Sequence, residues 1–132
     1  MNNLAEKEKQ LINTKYKEDS KKLDSQLDQL RKKHKSLENQ FHDIADLYSK
    51  MNREIQEIQM EYAKEESVED LQELGECSDR ALEAYKKSKR IVEDELDDVE
   101  HAIKTTKLEQ QNIEDDYQSK LSSLRKEEEL CH

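Results

Sequence analysis

The sequence predicts an all-α protein, an antiparallel two-helix hairpin of coiled-coil type. Three observations carry that expectation. The 132 residues include one glycine and no proline, with 42% charged and 32% hydrophobic residues. That composition belongs to long helices when a helical period is present, and to disorder when it is not. The period is present: from Leu23, steps of four and three reach Leu27, Leu30, His34, Leu37, Phe41, Ile44, Tyr48, Met51, Ile55, Ile58 and Tyr62. All but His34 are apolar or aromatic, as the 3.5-residue repeat of a coiled coil requires. Finally, the only glycine and a break in phase fall near the middle of the chain, so the chain turns back once.

The first helix is expected over about 3–64. Leu27, Phe41, Tyr48 and Ile55 take a positions, and Leu30, Leu37, Ile44, Met51 and Ile58 take d positions. Tyr16 falls at d, while Asn13 and Ser20 fall at a, so the beginning of this helix is weakly patterned. After Tyr62 the next d position would be Glu65, and apolar residues resume only at Val68 and Leu71. Residues 64–78 therefore read as the turn region of one hairpin domain spanning 1–132. Within it, Ser67 before Val68, Glu69 and Asp70 has the form of an N-cap followed by acids in a first turn. A short helix over 68–74 fits there, with Gly75 at the C′ position that favours glycine. The other reading keeps the helix continuous and treats Gly75 as a tolerated defect.

The second helix is expected over about 79–128, capped by Ser78. Its seam is Leu82, Tyr85, Lys89, Val92, Leu96, Val99, Ile103, Thr106, Gln110, Ile113, Tyr117 and Leu124. Lys89, Thr106 and Gln110 are polar intrusions, and 104–112, "KTTKLEQQN", is the weakest stretch. Leu121, four beyond Tyr117, shifts the repeat towards an 11-residue spacing. Each arm holds about 50–60 residues, on the order of 80–90 Å of helix at ~1.5 Å per residue.

A contact between two helices along one seam buries only a and d positions, which leaves little margin against chain entropy. The stretch 41–51, "FHDIADLYSKM", is apolar over a wider face. With Tyr48 at a, Leu47 is g and Ala45 is e; in the second helix Ala81 and Ala102 are g beside Leu82 and Ile103. A face of a, d, e and g positions suits a bundle of three or more helices. Phe41, Ile44, Leu47, Tyr48, Met51 and Ile55 are thus the candidate partner-binding residues. A helix from another chain, self-association, or the second helix of the same hairpin could cover them.

Other chemistries lack their residues. His34, His42, His101 and His132 never stand three or four apart, so no helix offers a zinc pair. His34, in an a layer, reads as a polar register marker. A fold-back near 71 would bring His42 level with His101, which is a weak basis for a metal site. Cys131 and His132 read as an exposed tail. The pair Cys77 and Cys131 would lie far apart in a hairpin, so the expectation is free thiols in a reducing compartment. No phosphate-binding, zinc-protease or nucleophile-elbow motif is present, and "EDELDDVE" lacks the spacing and glycine of a calcium loop. The tyrosines at 16, 48, 62, 85 and 117 all fall on seam positions. The chain reads as a non-enzyme with no cofactor and no metal. Its formal charge of −10 opposes nucleic-acid binding. No apolar run approaches the length of a membrane span, and no cleavable leader is evident. The charge is uneven: residues 53–79 hold ten Asp/Glu against two Lys/Arg, as do residues 93–116, whereas 1–35 hold ten Lys/Arg against six acids.

The stretches "FHDIADLYSKMNREIQEI", "LEAYKKSKRIVEDELDDVEHAI" and "NIEDDYQSKLSSLRKEEE" together resemble a family of bacterial secretion accessories. These are the larger of the two small helical proteins encoded beside LXG toxins of the type VIIb secretion system. The resemblance covers about 35–130 and rests on coiled-coil residues. It implies a cytoplasmic, chaperone-like targeting partner that binds the helical N-terminal domain of a toxin, with a second small helical protein as a further partner. The sequence departs from the family's export motifs. There is no Trp-x-Gly turn, the nearest feature being Leu74 and Gly75. Tyr-x-x-x-Asp/Glu occurs only at Tyr62 and Glu66, and Phe41 is followed four residues later by Ala45. The export signal is therefore not assigned to this chain, and whether it is co-secreted stays open. The alternative class of function is a structural one: a homo-oligomeric coiled-coil spacer or an export-machine stalk.

Overall fold

The computed structural model describes residues 2–64 and 68–130. It contains two helices of 63 residues each, α1 over Asn2–Lys64 and α2 over Val68–Leu130. They pack against each other as an all-helical hairpin, with no strand among the described residues. Length and composition favour this: no proline interrupts either helix, and Glu69 and Asp70 place acids in the first turn of α2, where the helix dipole favours them.

The chain divides into two compact units to which both helices contribute. Unit 1 comprises Met1–Lys33 and Val99–His132, and unit 2 comprises His34–Asp98. In unit 1 the buried residues are Leu23, Leu27, Val99 and Thr106; in unit 2 they are Leu37 and Val92. All six are seam positions of the heptad reading. Stacked tyrosines mark the pairing within each unit. Tyr16 lies on Tyr117 with ring centroids 4.2 Å apart, and Tyr48 lies on Tyr85 at 4.5 Å, both at an interplanar angle of 14°. Within unit 2 Tyr48 is level with Tyr85, whereas a fold-back near 71, the one that would level His42 with His101, would have set Tyr48 against about residue 94.

The second helix begins earlier than its sequence suggested. It starts at Val68 rather than Asp79, and runs through Gly75 and Ser78 without a break. Most of the expected 64–78 turn is therefore helix, and the short helix expected over 68–74 is the beginning of α2. Glycine inside a helix costs only about 1 kcal/mol relative to alanine. Ending the helix there would forfeit the partial burial of Leu71 and Leu74. The proposed cap Ser67 and the motif residue Glu66 lie outside the described residues, as do Cys131 and His132.

The polar intrusions are accommodated one by one. The buried Thr106 hydroxyl donates to the Ala102 carbonyl at 2.8 Å, and Thr105 donates to the His101 carbonyl at 3.0 Å. Gln110 donates across the pair of helices to Asp24 at 2.7 Å. Residues 104–112 are thus continuous helix. Asn13, polar at an a position, accepts a hydrogen bond from the Tyr117 hydroxyl, and the Tyr16 hydroxyl donates to Glu114. His34 is half-buried and lies 3.1 Å from the Glu38 carboxylate.

Candidate helix-binding face

The six candidate residues share α1 in unit 2, but they meet different fates. Ile44, Leu47, Tyr48 and Met51 line one groove of about 170 Å³, together with Ala81, Ala84, Tyr85 and Ser88 of α2. Leu47 is 59% exposed and Met51 40%. Tyr48 is half-buried against Tyr85 and forms part of the floor. Phe41 does not reach the groove. It is half-buried, with the Lys89 ammonium 5.8 Å from its ring centroid and the His42 ring set edge-on to it. Ile55 is half-buried on the α1 seam and also lies outside the groove.

The seam itself turns as α1 proceeds. Met51 and Ile58, both d positions, are each 40% exposed, whereas Asn52 and Gln59, the residues after them, are half-buried. A helix of 3.6 residues per turn drifts by about 20° per heptad against a strict 3.5-residue pattern. Over successive heptads the position after d therefore comes round to face the partner helix, and d swings outward. The result is an apolar line along one flank of α1. Leu47, Met51 and Ile58 are spaced by four and seven residues, which keeps them on one face.

The α2 side of the groove has small residues at the matching spacing. Ala81, Ala84 and Ser88 step by three and four, and Ile91, 52% exposed, continues the line three residues on. Ala81 was legible as a g position. Ala84 and Ser88 were not singled out, although their three-and-four spacing was there to be read. Small side chains on one wall and exposed aliphatic ones on the other leave a furrow that another helix could enter. Interdigitation of this kind is how helices pack.

Unit 1 has a groove of its own, about 240 Å³, beside the Tyr16 and Tyr117 stack. Leu11, Ile12 and Ile113 line it, but so do Lys15, Asp19, Asp116 and Lys120, and the last two form an ion pair at 3.0 Å. Its wall carries charges of both signs, as does a second groove of unit 2 lined by Arg53 and Glu57, whereas no charged residue lines the groove beside Leu47.

Among the described residues no cluster of three or more His, Cys, Asp or Glu could hold a metal ion, and no helix is long and apolar enough to cross a membrane. Cys77 is a free, exposed thiol. The chain matches no family model, no curated protein and no solved structure.

Proposed function

We propose that this protein is a non-enzymatic helix-binding module, which uses the unit 2 groove to seat a helix of another protein. The observation that supports the reading most is the exposure of Leu47 and Met51 beside the small-residue wall of Ala81, Ala84 and Ser88. A third helix laid there would cover aliphatic surface that two helices leave in water, at roughly 25 cal/mol for each Å² removed. The sequence resemblance suggests the kind of partner: the helical N-terminal domain of an LXG toxin, presented for type VIIb secretion with this chain as a cytoplasmic accessory. A second small helical protein would share that complex.

The second reading is a homo-oligomeric coiled-coil spacer. It rests on the same exposed flank, which another copy could cover. Light scattering on the purified chain, alone and mixed with the product of the neighbouring gene, separates the two. The binding-module reading expects a monomer or loose oligomer that becomes a defined hetero-complex. A tight homodimer indifferent to the neighbouring product would refute that reading and support the spacer.

A further inference from the structure

Two faces of α1 compete for the place against α2 between Tyr48 and Tyr62. The half-buried residues of that stretch are Tyr48, Asn52, Ile55, Gln59 and Tyr62, spaced by four, three, four and three. This line takes the a positions of the repeat and the residue after each d position. The line that the heptads favour keeps the same a residues, Tyr48, Ile55 and Tyr62, but joins them to Met51 and Ile58. At about 100° per residue, the third residue after an a position points about 60° to one side of it and the fourth about 40° to the other. Turning α1 by about 50° on its own axis therefore exchanges Asn52 and Gln59 for Met51 and Ile58, and the three a residues stay at the seam.

The described setting leaves apolar side chains in water and draws amides in. Met51 and Ile58 are each 40% exposed. Among the described residues the side-chain amides of Asn52 and Gln59 make no hydrogen bond, unlike the polar seam residues Thr106 and Gln110, so nothing fixes them inward. On the other side, α2 has room for the alternative. Counting ten residues from the Tyr48 and Tyr85 stack along each helix, towards Lys64 and Val68, brings Ile58 level with Gly75. Gly75 is half-buried, and a Cβ on it would meet nothing within 4 Å, so α2 sets no side chain there against an incoming Ile58. Winding is what separates the two settings. A straight helix of about 3.6 residues per turn brings the residue after d inward, whereas a left-handed supercoil at about 3.5 keeps d inward.

We infer that the Tyr48–Tyr62 stretch of α1 is a rotary gate on the unit 2 groove. It exchanges between the described setting, with Met51 on the groove wall, and a wound setting, with Met51 and Ile58 against α2 and the furrow closed. Tyr48, Ile55 and Tyr62 are the pivot common to both. The gating rests on the helix-binding reading; the rotation does not. A helix seated on Leu47 and Met51 takes only the open setting, so its apparent affinity is reduced by the fraction of chains that are wound. The free protein thereby shelters part of its own apolar flank until a partner covers it.

The test reads the full chain alone, with isotope-labelled methionine methyl groups. Nuclear magnetic resonance follows the Met51 methyl by relaxation dispersion, which detects exchange on the microsecond-to-millisecond scale of helix shifts, and by its broadening with a soluble paramagnetic probe. Met60, 69% exposed and on the outer face in both settings, is the standard for solvent access. Asn52→Leu with Gln59→Leu makes the described inward face apolar and holds that setting. Dispersion at Met51 should be lost while its broadening by the probe remains. Asn52→Asp with Gln59→Glu adds charge without changing size, and the cost of burying a carboxylate drives both residues outward. The Met51 signal should then shift and lose most of its broadening, while Met60 keeps its own. Circular dichroism melting checks that each variant is folded; should the charged pair fail to fold, the wild type and the leucine pair decide.

Dispersion at Met51 in the wild type, abolished by the leucine pair, upholds the inference. Absence of dispersion at Met51 in the wild type overturns it. So does dispersion that the leucine pair leaves unchanged, because the motion is then not this exchange, and so does a folded charged pair in which Met51 stays as exposed to the probe as before. None of these results touches the helix-binding reading, which stands or falls on light scattering with the neighbouring product.

Discussion

Gly75 is helical, and a Cβ built on it would meet nothing within 4 Å. Glycine there costs conformational entropy without relieving any contact. Gly75→Ala should therefore stabilise the hairpin by about 0.5–1 kcal/mol, read as a higher urea midpoint with an unchanged slope. Tyr16 is the second informative residue. Its hydrogen bond to Glu114, above all, raises its phenol pKa from the ordinary value of 10.0, because the bond requires the protonated phenol. The group's contribution to stability is thus fully present below pH 10 and is lost as pH rises through the raised folded value. Ultraviolet-difference titration should find Tyr16 ionising at higher pH in the wild type than in Glu114→Gln. An identical titration in the two proteins would show that Glu114 is not the cause.

Within the elements, each unit is pinned by one stack of tyrosines across α1 and α2. Offset-stacked rings add about 0.5–1.5 kcal/mol beyond their buried area. A double-mutant cycle on Tyr48 and Tyr85, each replaced by leucine, should return a coupling of that size. Coupling near zero would mean that the two rings act only as bulk. The cycle also bears on the candidate face, since these rings form its floor. The heptads identified that face only in part. Leu47 stood out because an apolar g position is unusual in a two-stranded seam. Met51 carried two readings, a d position of the seam and a residue of the partner-binding face, and its 40% exposure could not be read from spacing alone. It depends on how far the helices drift from the 3.5-residue repeat before the chain turns. Phe41 lies outside the groove, with the Lys89 ammonium of α2 5.8 Å from its ring centroid.

For the molecule as a whole, the consequential feature is the segregation of charge. Nineteen acids against nine basic residues in 34–98 repel one another in the folded state. Added salt shortens the screening length to about 3 Å at 1 M and should relieve that repulsion. The melting temperature followed by circular dichroism should accordingly rise with sodium chloride, even before any partner is present. A fall with salt would mean that favourable ion pairs outweigh the repulsion.

The sequence by itself determined the class: two helices, antiparallel, with Leu23, Leu27, Leu37, Val92 and Val99 at their interface. A 3.5-residue period buries those side chains along a helix–helix seam, and the break in phase near the middle of the chain lets the second helix of the same chain supply it. It determined the acidic bias of the middle of the chain as well, since charge is counted and not folded. Tertiary structure alone decided that Gly75 lies within α2, where inward contacts outweigh a weak local signal for a helix end. Tertiary structure also decided that Asn52 and Gln59 turn inward while Met51 and Ile58 turn out. Finally, it joined Leu47 to Ala84 and Ser88 in one groove, because a furrow between two helices belongs to neither sequence segment and exists only once their register is set.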